Sequence, residues 1–118
     1  MKSSYDELPS FVTKDGSLVR ELMHPESHGN SAQSLAEAIV AVGEETALHR
    51  HLVSEELYHI ARGSGEMKLG EEVFTVGPGD TVCILPGMPH AIRNAGNCEL
   101  RILCSSSPPY SHEDTELL

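Results

Sequence analysis

Residues 43–63 read Gly43-Glu44-Glu45-Thr46-Ala47-Leu48-His49-Arg50-His51-Leu52-Val53-Ser54-Glu55-Glu56-Leu57-Tyr58-His59-Ile60-Ala61-Arg62-Gly63. Two apolar-rich pieces, 47–53 and 57–62, lie between the glycines, and both are too short for a helix, which needs ten or more residues. As strands they send alternate side chains to opposite faces, so His49 and His51 leave on the same side. Glu56 follows His51 at an odd offset and would face the other way on an unbroken strand. A turn or bulge within 52–55 must restore the inward face, and Ser54 and Glu55 suit it. Glu55 then faces outward as a solvated turn residue. Tyr58 shares the Glu56 face and is a candidate proton donor or substrate partner, though a core tyrosine with a satisfied hydroxyl is the commoner case. His59 keeps the opposite parity, as an outer-face or dimer-contact residue.

The same punctuation continues outward. Turn signals at 63–65, 70–71, 77–80, 86–89 and 95–97 leave short runs at 73–76, 81–85, 91–94 and 98–104. Short runs at regular spacing between Gly/Pro turns predict an all-β sandwich or barrel. Gly63-Ser64-Gly65 reads as a hairpin turn, since no helix follows to make it a phosphate loop. Residues 34–42 are ambiguous: Ser34 and Glu37 mimic a capping box, but Gly43 would stop the helix after about two turns and the apolar residues exceed one helical face. A buried strand fits better. The N-terminal strands fall within 8–23, around a Lys14-Asp15-Gly16 turn. Residues 24–34 read as loop with His24 and His28 solvated. The tail 105–118, Ser/Pro-rich and then acidic, is expected to end the chain irregularly, either disordered or as a lid over the barrel mouth, with partial order the favoured reading. Cys83 and Cys104, in strands, are expected to be buried small hydrophobes.

With 118 residues the chain is one domain. Eight Lys and Arg against eighteen Asp and Glu give a net charge of −10, which excludes the basic footprint of a nucleic-acid binder and attraction to an anionic membrane. No window approaches the ~20 apolar residues of a spanning helix. Three cysteines without a C-x-x-C spacing read as reduced thiols of a cytoplasmic protein.

Far along the chain, Pro86-Gly87-Met88-Pro89 forms a tight turn before His90, which opens a strand with Ile92 and Asn94 on its side. Three imidazoles and one carboxylate around a common point make a divalent-metal site with nitrogen and oxygen ligands. Taken together, Gly43, His49, His51, Glu56 and Gly63, followed by Gly79, Gly87, His90 and Asn94, resemble the two motifs of a small single-domain cupin of the conserved-barrel type. Leu85 departs from the pattern, standing where the second motif has proline. The resemblance covers residues 43–94. It implies a double-stranded β-helix, or jelly-roll barrel, holding one divalent metal (Fe, Mn, Ni, Zn or Cu), with His49, His51, Glu56 and His90 as ligands by position. Such a centre carries a local charge of +1 and leaves coordination positions open, the mark of a working site, and that charge favours an anionic or chelating oxygen ligand. Asn94 reads equally as a turn-holding or a site residue.

Two functions follow. A metal-dependent enzyme would act on a small oxygen-rich metabolite, by dioxygenase-type or by sugar or organic-acid isomerase-type chemistry, with the metal as Lewis acid or oxygen site. A non-catalytic small-molecule or carbohydrate-binding module is the alternative, motivated by the short chain. Either is expected to be a homodimer, because a barrel this short exposes sheet edges and apolar outer faces, with residues 8–23 contributing to the contact.

Overall fold

Alternating inward and outward side chains lay down eleven strands and one short 3₁₀ turn, Tyr5–Glu7, across residues 1–118 of the computed structural model. One sheet joins, in order, β1 (Ser10–Val12), β2 (Leu18–Met23), β3 (Ser34–Val40), β10 (Leu100–Ser107), β5 (Glu55–Arg62) and β8 (Thr81–Ile84). The facing sheet joins β11 (Thr115–Leu117), β4 (His49–His51), β9 (His90–Asn94), β6 (Gly65–Leu69) and β7 (Glu72–Val76). Neighbours within each sheet pair antiparallel. From β4 onward the chain steps repeatedly from one sheet to the other, which is the winding of a jelly-roll barrel.

The core lies between the sheets. Val19, Ile60, Ile84, Leu100 and Ile102 from the first pack against Met67, Val76 and Ile92 from the second. Full burial of each large aliphatic side chain contributes about 1.5–3 kcal/mol. The ambiguous segment is a strand: Ser34, Ala36, Ala38 and Val40 of β3 point inward at every second position. A helix would have scattered them, whereas the strand places all four on the core face. Because Ala36 and Ala38 are small, the space beside them is left open, and that space becomes the chamber described below.

Several expectations are corrected. Gly63 and Ser64 do not close a hairpin; they carry the chain from β5 in one sheet to β6 in the other, and residues 65–69, not foreseen as a strand, pair with both β7 and β9. The glycine is required because its φ is +85° and a Cβ there would lie 2.8 Å from the Glu99 carbonyl oxygen. Cys83 faces solvent, since β8 turns Val82 and Ile84 inward instead. His24 is buried, its Nε2 2.8 Å from the Tyr110 carbonyl, and its amide donates to His28 Nδ1 at 3.0 Å. The tail is more regular than expected: β10 runs on to Ser107, and β11 returns to pair with β4. A lone acidic sequence gives no signal for that strand, because its partner lies far away in the chain.

Candidate metal centre

Strand β4 delivers His49 and His51 to the interior, and the register of β4 with β9 sets His49 directly opposite His90. All three rings are buried, and one nitrogen from each lies within 4.8 Å of the others. The tight turn before His90 is pinned to the same strand, the Gly87 amide donating to the His51 carbonyl at 2.6 Å. Glu56 comes from β5 in the opposite sheet. Residues 52–54 form the irregular connection that parity required, so Glu56 faces inward while Glu55 and Leu57 face out.

That connection is held from the C-terminal segment. The Asp114 carboxylate accepts from the Val53 and Ser54 amides at 2.8 and 3.0 Å, and Ser54 Oγ donates to the Pro108 carbonyl. Burial would raise the Asp114 carboxyl, but these amides outweigh it and hold it below its ordinary value.

The Nδ1 atoms settle which nitrogens face the centre. His49 Nδ1 meets the Ala47 carbonyl at 2.8 Å and His90 Nδ1 the Met88 carbonyl at 3.0 Å. A carbonyl only accepts, so both Nδ1 atoms carry the proton and a neutral ring keeps its lone pair on Nε2. His51 Nδ1 lies 3.1 Å from Thr115 Oγ1, whose own hydrogen goes to the Ser111 carbonyl; Nδ1 is again the donor. The three Nε2 atoms are therefore the free ends.

Glu56 Oε1 sits 3.2 Å from His51 Nε2 and 3.6 Å from His90 Nε2, while Oε2 accepts from Ser106 Oγ at 3.2 Å. The contacts to Oε1 are close, yet Oε1 and His90 Nε2 are both buried without a hydrogen-bond partner. Two orphaned buried atoms aimed at one point are costly alone, and a cation between them would satisfy both. The donor set fits a borderline divalent ion. Burial alone would raise the Glu56 carboxyl, but the contacts from His51 and His90 outweigh it and bring it down to about 2. Burial would lower His51, but Glu56 prevails and raises it. His49 is lowered, by burial and then by His90.

Beside His49 and His51 opens a small chamber. Tyr58 lines it, and its ring stands edge-on to His90 with centroids 5.9 Å apart. Burial and then the Glu56 charge push the Tyr58 hydroxyl well above its ordinary value, so it stays protonated. Tyr110, from the C-terminal segment, closes another wall against His51. Cys104 lines the chamber as an inert thiol, raised well above its ordinary value by burial and then Glu56. His59 lies on the outer face against Thr81. Asn94 is turn-holding: Nδ2 donates to the Val40 and Cys98 carbonyls and Oδ1 accepts from Gly96.

Sequence reasoning missed Asp15. From the β1–β2 turn its Oδ2 reaches to 3.7 Å from His49 Nε2. Its Oδ1 accepts from Thr13 Oγ1, the Ser17 amide and Ser17 Oγ at 2.7, 2.9 and 2.7 Å. The turn itself docks through the Ala47 amide, which donates to the Asp15 carbonyl at 2.8 Å. A Lys-Asp-Gly sequence advertises a turn, and nothing local says that the turn folds over a distant histidine. The expected local charge of +1 counted the four candidate ligands and the ion alone; Asp15 adds a carboxylate beside them.

The sequence matches the family model for the cupin domain over residues 36–106. The chain belongs to the cupin family. An uncharacterized protein of Methanocaldococcus jannaschii is 55% identical over 118 residues, which is all of this cupin and 94% of that protein. The polyketide synthase CurC of Streptomyces cyaneus is 32% identical over 108 residues, spanning 87% of this chain and 70% of its own. Among solved structures, Pac13, a nucleoside dehydratase of Streptomyces, superposes with a TM-score of 0.80 at 16% identity, covering all of this chain and 90% of that one. At that identity the likeness speaks for the fold.

Proposed function

We propose that this cupin is a small metal-dependent enzyme whose single divalent ion is held by His49, His51, His90 and Glu56, and whose substrate is a small oxygen-bearing metabolite. The observation that carries the reading is the cluster of three buried imidazoles, with Glu56 Oε1 reaching two of them at His51 Nε2 and His90 Nε2, and with Oε1 and His90 Nε2 buried and otherwise partnerless. A bound ion would supply Lewis acidity to a substrate oxygen. The chain supplies the rest. Nδ1 partners on all three rings fix their orientation. Ser106 steadies the second Glu56 oxygen. Tyr58, kept protonated beside the centre, is placed to donate a proton to substrate.

Of the reaction types open to such a centre, oxygenation and redox-neutral rearrangement, we favour the second. A retained tyrosine proton beside the site supports it. The uncovered edge strand β1, with Phe11 and Val12 exposed, supports a homodimer contact through residues 8–23. Three unpaired thiols support a cytoplasmic, reducing setting.

The test is elemental analysis of protein purified without chelators, beside the His51→Ala variant. We expect about one equivalent of a divalent metal in the parent and a loss of at least tenfold in affinity in the variant. Equal metal content in the two would refute the assignment.

A further inference from the structure

The chamber beside His49 and His51 carries a charge pattern that narrows its ligand. Three carboxylates reach it, from Asp15, Glu21 and Glu56, and no lysine or arginine lines it. The outer recess that shares Glu21 and Tyr110 with it adds Glu26 and Glu113, again without a lysine or arginine. A site built for a carboxylate or phosphate substrate places a guanidinium or ammonium to pair with it, commonly in a bidentate grip. Within the lining the sole positive charge available to a ligand would be the metal itself, since Lys14, beside the Asp15 turn, is engaged on the His112 and Thr115 carbonyls. Glu56 offsets half of that charge, and Asp15, facing the ligand side of His49, offsets the rest.

We propose that Asp15 is a specificity-determining residue of the centre, which it brings to neutrality so that the chamber accepts an uncharged oxygen-rich ligand and rejects anionic chelators. This rests on the metal-centre reading above and adds the substrate class to it. The uncharged classes that fit are polyols, sugars without phosphate, phenols and enolisable ketones. Asp15 is built for the task. Its Oδ1 is anchored by three donors, which leaves Oδ2 alone to face the centre as a fixed charge. Rejection by a fixed like charge is specificity by repulsion and costs nothing in conformational freedom when the right ligand binds. Glu21 adds to the acidic wall more weakly: its Oε2 is buried without a partner, and burial raises its carboxyl above the ordinary value.

The test compares cobalt-loaded parent protein with Asp15→Asn. Asparagine keeps an oxygen for the Thr13 and Ser17 donors and replaces only the charged atom facing His49. Oxalate is the anionic probe and imidazole the neutral one, each titrated by calorimetry and by the visible absorption of the bound cobalt. We expect Asp15→Asn to bind oxalate at least tenfold more tightly than the parent and imidazole within about twofold, the asymmetry expected when one unit charge is removed near a dianion. Asp15→Glu, which keeps the charge, should stay closer to the parent than to Asp15→Asn for oxalate. Ser17→Ala loosens the turn without altering charge and should leave oxalate binding weak. Unchanged oxalate affinity in a cobalt-loaded Asp15→Asn protein overturns the proposal, and so does an equal gain for imidazole, since that marks easier access and not charge. Failure of the parent itself to take up cobalt overturns the metal-centre reading together with this one.

Discussion

Replacing Glu56 by glutamine isolates the electrostatic core of the site in metal-free protein. The Glu56 carboxyl lies at about 2 against an ordinary 4.5. At ~1.4 kcal/mol per unit, that difference stabilises the folded state by about 3 kcal/mol at pH values above 4.5. Because the folded pKa is the lower one, the contribution is present above 4.5 and fades as pH falls toward 2. His51 has the opposite sign: its folded pKa is raised, so its contribution is present below about 6.5 and fades as pH rises through the folded value. Both contributions are in place near pH 5. His49, lowered mainly by burial, works against stability as pH falls below about 6.5 in either protein. In Glu56→Gln, His51 loses the partner that favours its proton, so the variant begins to lose stability below about pH 6.5 and not below 4.5. Urea unfolding of chelator-treated parent and variant, followed by circular dichroism, should show a gap of about 3 kcal/mol at pH 5 that narrows clearly by pH 8. A gap of equal size at both pH values would mean that Glu56 acts through packing, and the coupling to the histidines would be refuted.

Asp114→Ala removes the acceptor for the Val53 and Ser54 amides. We expect a loss of about 2 kcal/mol in urea unfolding, since two charge-assisted bonds are broken at a half-buried site; a change below about 0.5 kcal/mol would show that the connection delivering Glu56 holds its shape unaided. Light scattering at micromolar concentration should give twice the mass of the 118-residue chain. Replacing the exposed Phe11 and Val12 by serine should shift that mass toward the monomer, and a parent that is already monomeric would remove the dimer contact through β1.

The barrel was legible because its signals are local. Glycine and proline cut the chain into pieces too short for helices, and the two-residue period then fixes which side chains share a face, as at Glu56, Tyr58 and Ile60 of β5. The odd spacing between His51 and Glu56 forced a break in the strand, and residues 52–54 supply it. The failures have a common cause as well. Gly63-Ser64-Gly65 carries turn residues, but whether a turn returns to the same sheet or crosses to the other depends on strands that pair from elsewhere in the chain. His24 looked solvated in a polar loop because its cover, the Tyr110 carbonyl, lies 86 residues away.

The four candidate ligands were implied by the resemblance to the cupin motifs, and strand parity put His49, His51 and Glu56 on an inward face, since a face is a property of a few consecutive residues. The charge of the centre is not such a property. It depends on Asp15, carried over His49 by a β-turn whose docking to Ala47 exists only once the two sheets have met. The supports of the site, Thr115 behind His51 and Asp114 beneath the turn before Glu56, likewise come from an acidic tail that has no pattern of its own. Residue chemistry and parity are written along the chain; electrostatic balance is a sum over neighbours in space, and only the folded barrel determines who those neighbours are.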